Sequence, residues 1–204
     1  MKIKRILLLA LATLLMIPYG TVSTASSAKY DIGKTIEAKT FLKTPEEIDE
    51  EFEKETDKII QELSRKEQEI SPNSRAQYVN EIVATNTKWT GYYKAGGQQL
   101  GPVSFPGFGG TIYWQPSSGP TVSGSISVSG KIVGFSLGIG SRKNEGVSGY
   151  GAHVPSYGSW YLYVNRKVEG RKINIYRIEN GRKTLYHTQY STIPAGVSLD
   201  VRQP

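Results

Sequence analysis

The stretch Ile173-Asn-Ile-Tyr-Arg-Ile-Glu179-Asn180-Gly181-Arg182-Lys-Thr-Leu-Tyr-His187 decides the fold class. Asn180-Gly181 supplies the two positive-φ positions of a type I′ turn, whose twist matches that of the strands on either side. In that register Glu179 faces Arg182 and Tyr176 faces Leu185, two favourable cross-strand pairs. The segment reads as an antiparallel hairpin.

Its surroundings read the same way. Trp160-Tyr-Leu-Tyr-Val-Asn165 alternates, with Trp160, Leu162 and Val164 on one face and Tyr161, Tyr163 and Asn165 on the other. Val122 to Ser129 sets Val122, Ile126 and Val128 against four serines, and Ile132 to Ile139 returns with the same period of two. Gly130-Lys131 is read as the turn between them. Val197 to Val201 reads as the closing strand. Sixteen of the 22 glycines lie between Gly91 and Gly151, which punctuates the region with turns. Residues 78–204 are therefore expected to form about seven to nine strands of an antiparallel β-sandwich or flattened barrel. Trp160 and Trp114 are expected in its core, and Tyr161 and Tyr163 outside it.

Upstream the character changes. Thr44-Pro45-Glu46-Glu47 is a helix start, with Thr as N-cap, Pro at the first helical position and Glu placed to close a capping box. No Gly or Pro follows before Pro72, so one charged helix over 44–70 is predicted, roughly 38 Å long. Its apolar stripe is thin, comprising Ile48, Phe52, Ile59, Ile60, Leu63 and Ile70. This helix is read as an arm or a pro-segment, preceded by an extended linker over 29–43 and followed by a second linker over 71–77. Residues 1–28 read as a secretory signal peptide: Lys2, Lys4 and Arg5, the apolar run Ile6–Ile17, then small residues fitting a cleavage site. That run is too short for a span of roughly 20 residues. The chain has no cysteine, so disulfides are excluded. An exported cysteine-free chain points to a Gram-positive bacterium, with the product secreted or held at the cell wall.

Charge is unevenly placed. Residues 29–75 hold 9 Lys/Arg and 13 Asp/Glu, and residues 76–204 hold 13 and 5, nets of −4 and +8. The acidic front and the basic back suggest two parts that attract each other, beside the commoner reading in which charge only solubilises each surface.

Few residues suit catalysis. There are two histidines, His153 and His187, without metal-ligand spacing. No catalytic residue, metal or cofactor is expected. Gly134-Phe-Ser136-Leu-Gly138 spells a nucleophile-elbow pattern, but that device needs a strand, a sharp turn and a helix, and alternation here continues to Ile139. The aromatic inventory is richer: all three tryptophans and eleven of thirteen tyrosines fall in the β region. Tyr and Trp combine flat apolar area with a polar tip, which suits sugars, headgroups and protein partners. Tyr92, Tyr93, Tyr161 and Tyr163 are the aromatic candidates for contact. Four basic doublets, Arg142-Lys143, Arg166-Lys167, Arg171-Lys172 and Arg182-Lys183, are read as lying near strand ends. Gathered at one end of the sandwich, they would bind a polyanion.

The expectation is an exported, non-catalytic binding protein at a bacterial cell surface. Its partner would be an anionic cell-wall polymer, a glycan or lipid headgroups, with no nucleic acid. Two other readings stand beside it. The period-2 hairpin over Thr121–Ser141 resembles a membrane-inserting hairpin, giving a pore-forming or bacteriocin-like toxin held by an acidic pro-segment. The Ser136 pattern gives a hydrolase.

Overall fold

A computed structural model describes residues 38–98, 101–105, 107–143 and 149–204, with only the backbone of Lys143 included. The predicted signal peptide and most of the segment before the helix lie outside these residues. The chain is mainly β, with ten strands and one helix among the described residues. The order is β1 (Lys39–Leu42), α1 (Pro45–Ile70), β2 (Gln77–Lys94), β3 (Val103–Phe105), β4 (Gly110–Gln115) and β5 (Thr121–Val128). There follow β6 (Lys131–Gly138), β7 (Ser141–Lys143), β8 (Tyr150–Val154), β9 (Gly158–Glu179) and β10 (Arg182–Arg202). The total of ten slightly exceeds the expected seven to nine because β1 lies upstream, in the segment 29–43 read as an extended linker; residues from Gln77 onward hold nine.

The scaffold is one long twisted sheet in the order β1-β10-β9-β2, with β3 continuing along the β9 edge beyond β2. The predicted hairpin is its spine. Asn180 and Gly181 take φ of 50° and 74°, and the register sets Glu179 opposite Arg182 and Tyr176 opposite Leu185. β9 runs 22 residues without a break. Its first half buries Trp160, Leu162, Val164 and Val168 on one face, here the inner face. Its second half buries Ile173 and Ile175 on the opposite, outer face.

The neighbouring strands follow that exchange by bulging. In β10 an extra residue at Ala195 flips the alternation, so Ile193 and Ala195 point outward while Val197, Leu199 and Val201 point inward. Strand β2 does the same between Ile82 and Ala84.

Three layers use these faces. The small sheet β7-β4-β8 covers the inner face at one end through Ile112, Trp114, Ala152 and Val154. The β5-β6 hairpin covers its middle through Val122, Ile126, Val128, Phe135 and Leu137, packed on Val168. Its turn is Ser129-Gly130, one residue earlier than expected, with φ of 49° and 80°. The serines hold the outer surface of the hairpin, and the apolar side is spent on the core.

Helix α1 covers the outer face of the other half. The capping box forms as expected: Glu47 N donates to Thr44 Oγ1 at 3.2 Å and Thr44 N to Glu47 Oε2 at 2.8 Å. Ile48 and Phe52 pack on Ile173, Ile193 and Ala195, and Arg171 stacks on the Phe52 ring at 4.3 Å. The described residues make one compact unit that contains both helix and sheets.

Candidate functional site

Where α1 stops covering the outer face, tyrosines and cations take over. Tyr161 and Tyr163 alternate outward from β9, as expected. Tyr92 joins them because β2 bulges at Thr90-Gly91. Trp89 pairs with Lys167 and Tyr92 with Asn165, so two residues of β2, Thr90 and Gly91, stand against one of β9, Arg166. Trp89 and Tyr92 thus share a face that strict alternation would divide between them. The Asn165 side chain holds the bulge, accepting from Gly91 N at 3.0 Å. Gly91 itself sits at φ 90°, a conformation that side chains disfavour.

The face is laced by cation–π contacts. Lys94 Nζ lies 3.5 Å from the Tyr161 ring centroid. The Arg202 guanidinium lies between two rings, 4.9 Å from Tyr92 and 4.5 Å from Tyr163. Asp200 fixes it by accepting from Arg202 Nε at 2.7 Å. The Tyr92 hydroxyl meets Ser198 Oγ at 2.9 Å, and Thr40 donates to the same oxygen. Three cations (Lys94, Lys167, Arg202) face one carboxylate (Asp200), so the platform is positive by two. Trp89 and Tyr92 remain 39 % and 37 % exposed.

Sequence reasoning found Tyr92, Tyr161, Tyr163 and Lys167 but missed Lys94, Arg202 and Trp89 as their companions. Counting across the hairpin from Glu179 and Arg182 sets Asp200 opposite Tyr161, and the two bulges of β10 bring Arg202 there instead. The Gly91 bulge is the signal that unites Trp89 with Tyr92. Tyr93 goes the other way: it pairs with Val164 and stands apart from the platform.

The four basic doublets do not converge. Arg166-Lys167 and Arg171-Lys172 lie inside the unbroken β9 rather than at strand ends, and alternation sends the two members of each doublet to opposite faces. Lys167 belongs to the tyrosine face. Arg171 is buried beneath α1, bridged to Glu169 at 2.7 Å and Asp49 at 2.6 Å. Burial works against its charge, yet those two carboxylates together hold it above its ordinary value. Lys172 is half-buried on the inner face. Arg142 and Lys143 lie on β7, in a different sheet. Arg182 and Lys183 are at the far hairpin tip, where Lys183 reaches Glu81 at 3.2 Å and the Tyr176 ring at 4.1 Å. A single polyanion patch built from all four is not formed.

Arg166 has the least ordinary setting. It is 7 % exposed and its guanidinium sits 5.2 Å from the ring of the fully buried Trp114. Trp114 is anchored in turn by its Nε1, which donates to the Ile139 carbonyl. Burial pushes the Arg166 pKa below its ordinary value, and the nearby Tyr150 partly opposes this.

The residues considered for catalysis are placed as follows. Ser136 lies within straight β6, its hydroxyl 3.3 Å from Ser123 Oγ, so no nucleophile elbow is built. His153 and His187 are exposed on β8 and β10. Among the described residues no three His, Asp or Glu side chains converge as metal ligands, and no helix is long and apolar enough to cross a membrane. Comparison with protein-family models, curated proteins and solved structures finds no match to this chain.

Proposed function

We propose that this chain is an exported, non-catalytic binding protein that recognises an anionic cell-wall polymer at a bacterial surface. The observation that carries the reading is the open sheet face on which Trp89, Tyr92, Tyr161 and Tyr163 alternate with Lys94, Lys167 and Arg202. Rigid aromatic rings supply contact area at little entropic cost, and fixed cations among them favour phosphate or carboxylate groups carried on sugar units. The rings hold the cations in place, so less ordering is lost when a polymer lies across them. Support for export comes from the residue pattern of 1–28, and the absence of cysteine with only two histidines favours binding over catalysis.

Co-sedimentation with purified Gram-positive cell walls tests the reading. The protein pellets with intact walls and is released by salt, because exposed charge contacts are screened within about 8 Å at physiological ionic strength. Walls stripped of their anionic polymer bind less. Tyr161→Ala combined with Tyr163→Ala weakens binding by about tenfold or more. A protein that stays in the supernatant, or a double variant that pellets like the parent, would rule the proposal out.

A further inference from the structure

A cavity of about 540 Å³ opens where β1 hands over to α1. Phe41, Leu42, Pro116, Tyr150, Pro194 and Val197 give it an apolar and aromatic lining, and Arg166 enters it from the inner face of β9. Its size falls in the range of small-molecule sites, roughly 300–1,000 Å³. The charge in it is unbalanced. Among the described residues Arg166 forms no ion pair, and its buried Nε has no hydrogen-bond partner. The other charged groups in the lining are already committed. Lys43 is paired with Glu51 at 2.5 Å, and the Glu47 carboxylate caps α1 by accepting from Thr44 N.

An unpaired guanidinium that is nine-tenths buried is costly, and removing or neutralising the charge relieves the cost. Nothing in the packing of the sheet requires a charge at that position. Val164 and Val168, two residues to either side on the same face, are fully buried aliphatics.

We infer that the Arg166 cavity is a binding site for an amphipathic monocarboxylate, with the carboxylate on the Arg166 fork and the hydrocarbon body among Phe41, Leu42, Tyr150 and Pro194. Glu47 lies at the exposed rim of the lining, so at the buried end the one unpaired cation is matched by a monoanion, whereas a phosphate dianion brings an excess negative charge. The planar fork of arginine matches a carboxylate with two parallel hydrogen bonds. The apolar lining contributes affinity in proportion to the hydrocarbon area it removes from water. This site stands apart from the tyrosine platform and does not depend on it.

Decanoate is the probe, with decanol as its uncharged counterpart and octyl phosphate as the dianionic one, titrated into the whole chain. Calorimetry gives affinity and stoichiometry, and tryptophan fluorescence, to which Trp114 beneath Arg166 contributes beside Trp89 and Trp160, follows binding. Decanoate is expected to bind one to one and to raise Tm, with decanol and octyl phosphate each weaker by about ten- to hundredfold. Arg166→Met keeps the apolar stem and loses the charge. It lowers decanoate affinity by the same factor while raising the Tm of the unliganded protein, which a purely structural arginine would not do. Leu42→Trp, at the exposed mouth, blocks decanoate without touching Arg166 and covers the case in which Arg166→Met folds poorly. The inference is overturned if decanoate does not bind, if decanol or octyl phosphate binds as tightly, or if both variants bind decanoate like the parent.

Discussion

Gly170 sits on β9 where the β5-β6 hairpin packs against the long sheet. A Cβ added there would meet Val128 Cγ2 at 2.8 Å and Ile126 Cγ2 at 3.2 Å. Both methyls belong to buried side chains, and Val128 is fully buried, so neither has room to retreat. Gly170→Ala is expected to destabilise the protein by about 1–3 kcal/mol through overpacking, read as a lower midpoint in urea with the slope unchanged. An unchanged midpoint would mean that the hairpin floats on the sheet instead of packing into it. Alternation alone predicts Trp160, Leu162 and Val164 inside with Tyr161 and Tyr163 outside, and the fold agrees at every one of those positions. The same rule fails at Gly170 and Arg171. Glu169, Gly170 and Arg171 are all buried because both faces of the sheet are covered there, and a glycine between charged residues reads as a turn. The partners that bury Arg171, Asp49 and Phe52, arrive from more than a hundred residues away, which no local pattern encodes.

At the scale of elements, α1 is held by few contacts. Ile48, Phe52 and Thr56 are its buried residues, and the Thr56 hydroxyl is satisfied within the helix by the Phe52 carbonyl at 2.8 Å. Beyond that short apolar stripe the attachment is electrostatic. Arg177 donates to Glu67 at 2.6 Å, and Ser74 and Tyr78 also donate to the Glu67 carboxylate. The hydrogen bond from Arg177 first, and that from Ser74 next, hold Glu67 below the ordinary carboxylate value of 4.5. A lowered folded pKa stabilises docking fully above about 4.5, and that contribution is lost as pH falls through the folded value. Arg177 is raised by its hydrogen bonds to Glu67 and Glu179 and stays charged throughout. Amide protection factors in the C-terminal half of α1, which correct for the intrinsic slowing of exchange in acid, are therefore expected to fall below pH 4.5 while those of the β9–β10 ladder hold. Glu67→Gln should show the lower protection already at neutral pH and lose the acid step; a step that survives in this variant assigns it to other carboxylates. The limits of α1 were readable from its capping box and from the absence of Gly and Pro before Pro72. The charge split leaves attraction as one reading beside plain solubilisation, and it does not say which carboxylates meet Arg171 and Arg177.

For the whole molecule, the decisive device is the exchange of buried faces along β9. The small sheet and the β5-β6 hairpin take the inner face of one half, α1 takes the outer face of the other, and the bulges at Ala195 and near Val83 keep β10 and β2 in step. That arrangement leaves the outer face of the first half to the tyrosine platform, and it makes the N-terminal segment part of the fold. β1 pairs Lys39–Leu42 with Leu199–Gly196, Lys43 N donates to the Ala195 carbonyl at 3.1 Å, and Phe52 is 1 % exposed over Ile173 and Ile193. A protease site engineered between Ser71 and Ala76 severs the chain at the link from α1 to β2 and leaves all of these contacts in place. At neutral pH the two pieces are expected to elute as one particle in size-exclusion chromatography, because backbone pairing and apolar burial do not depend on the severed link. Phe52→Ala removes the largest apolar contact of the docked helix, a change that typically costs about 3–5 kcal/mol at a buried site. In the cut protein it should shift the elution toward separate pieces. If the cut parent separates without that substitution, the segment is a detachable pro-segment held by weak charge contacts. Co-elution makes it a structural layer, without which Ile173, Ile193 and the Arg171–Glu169 pair would face water.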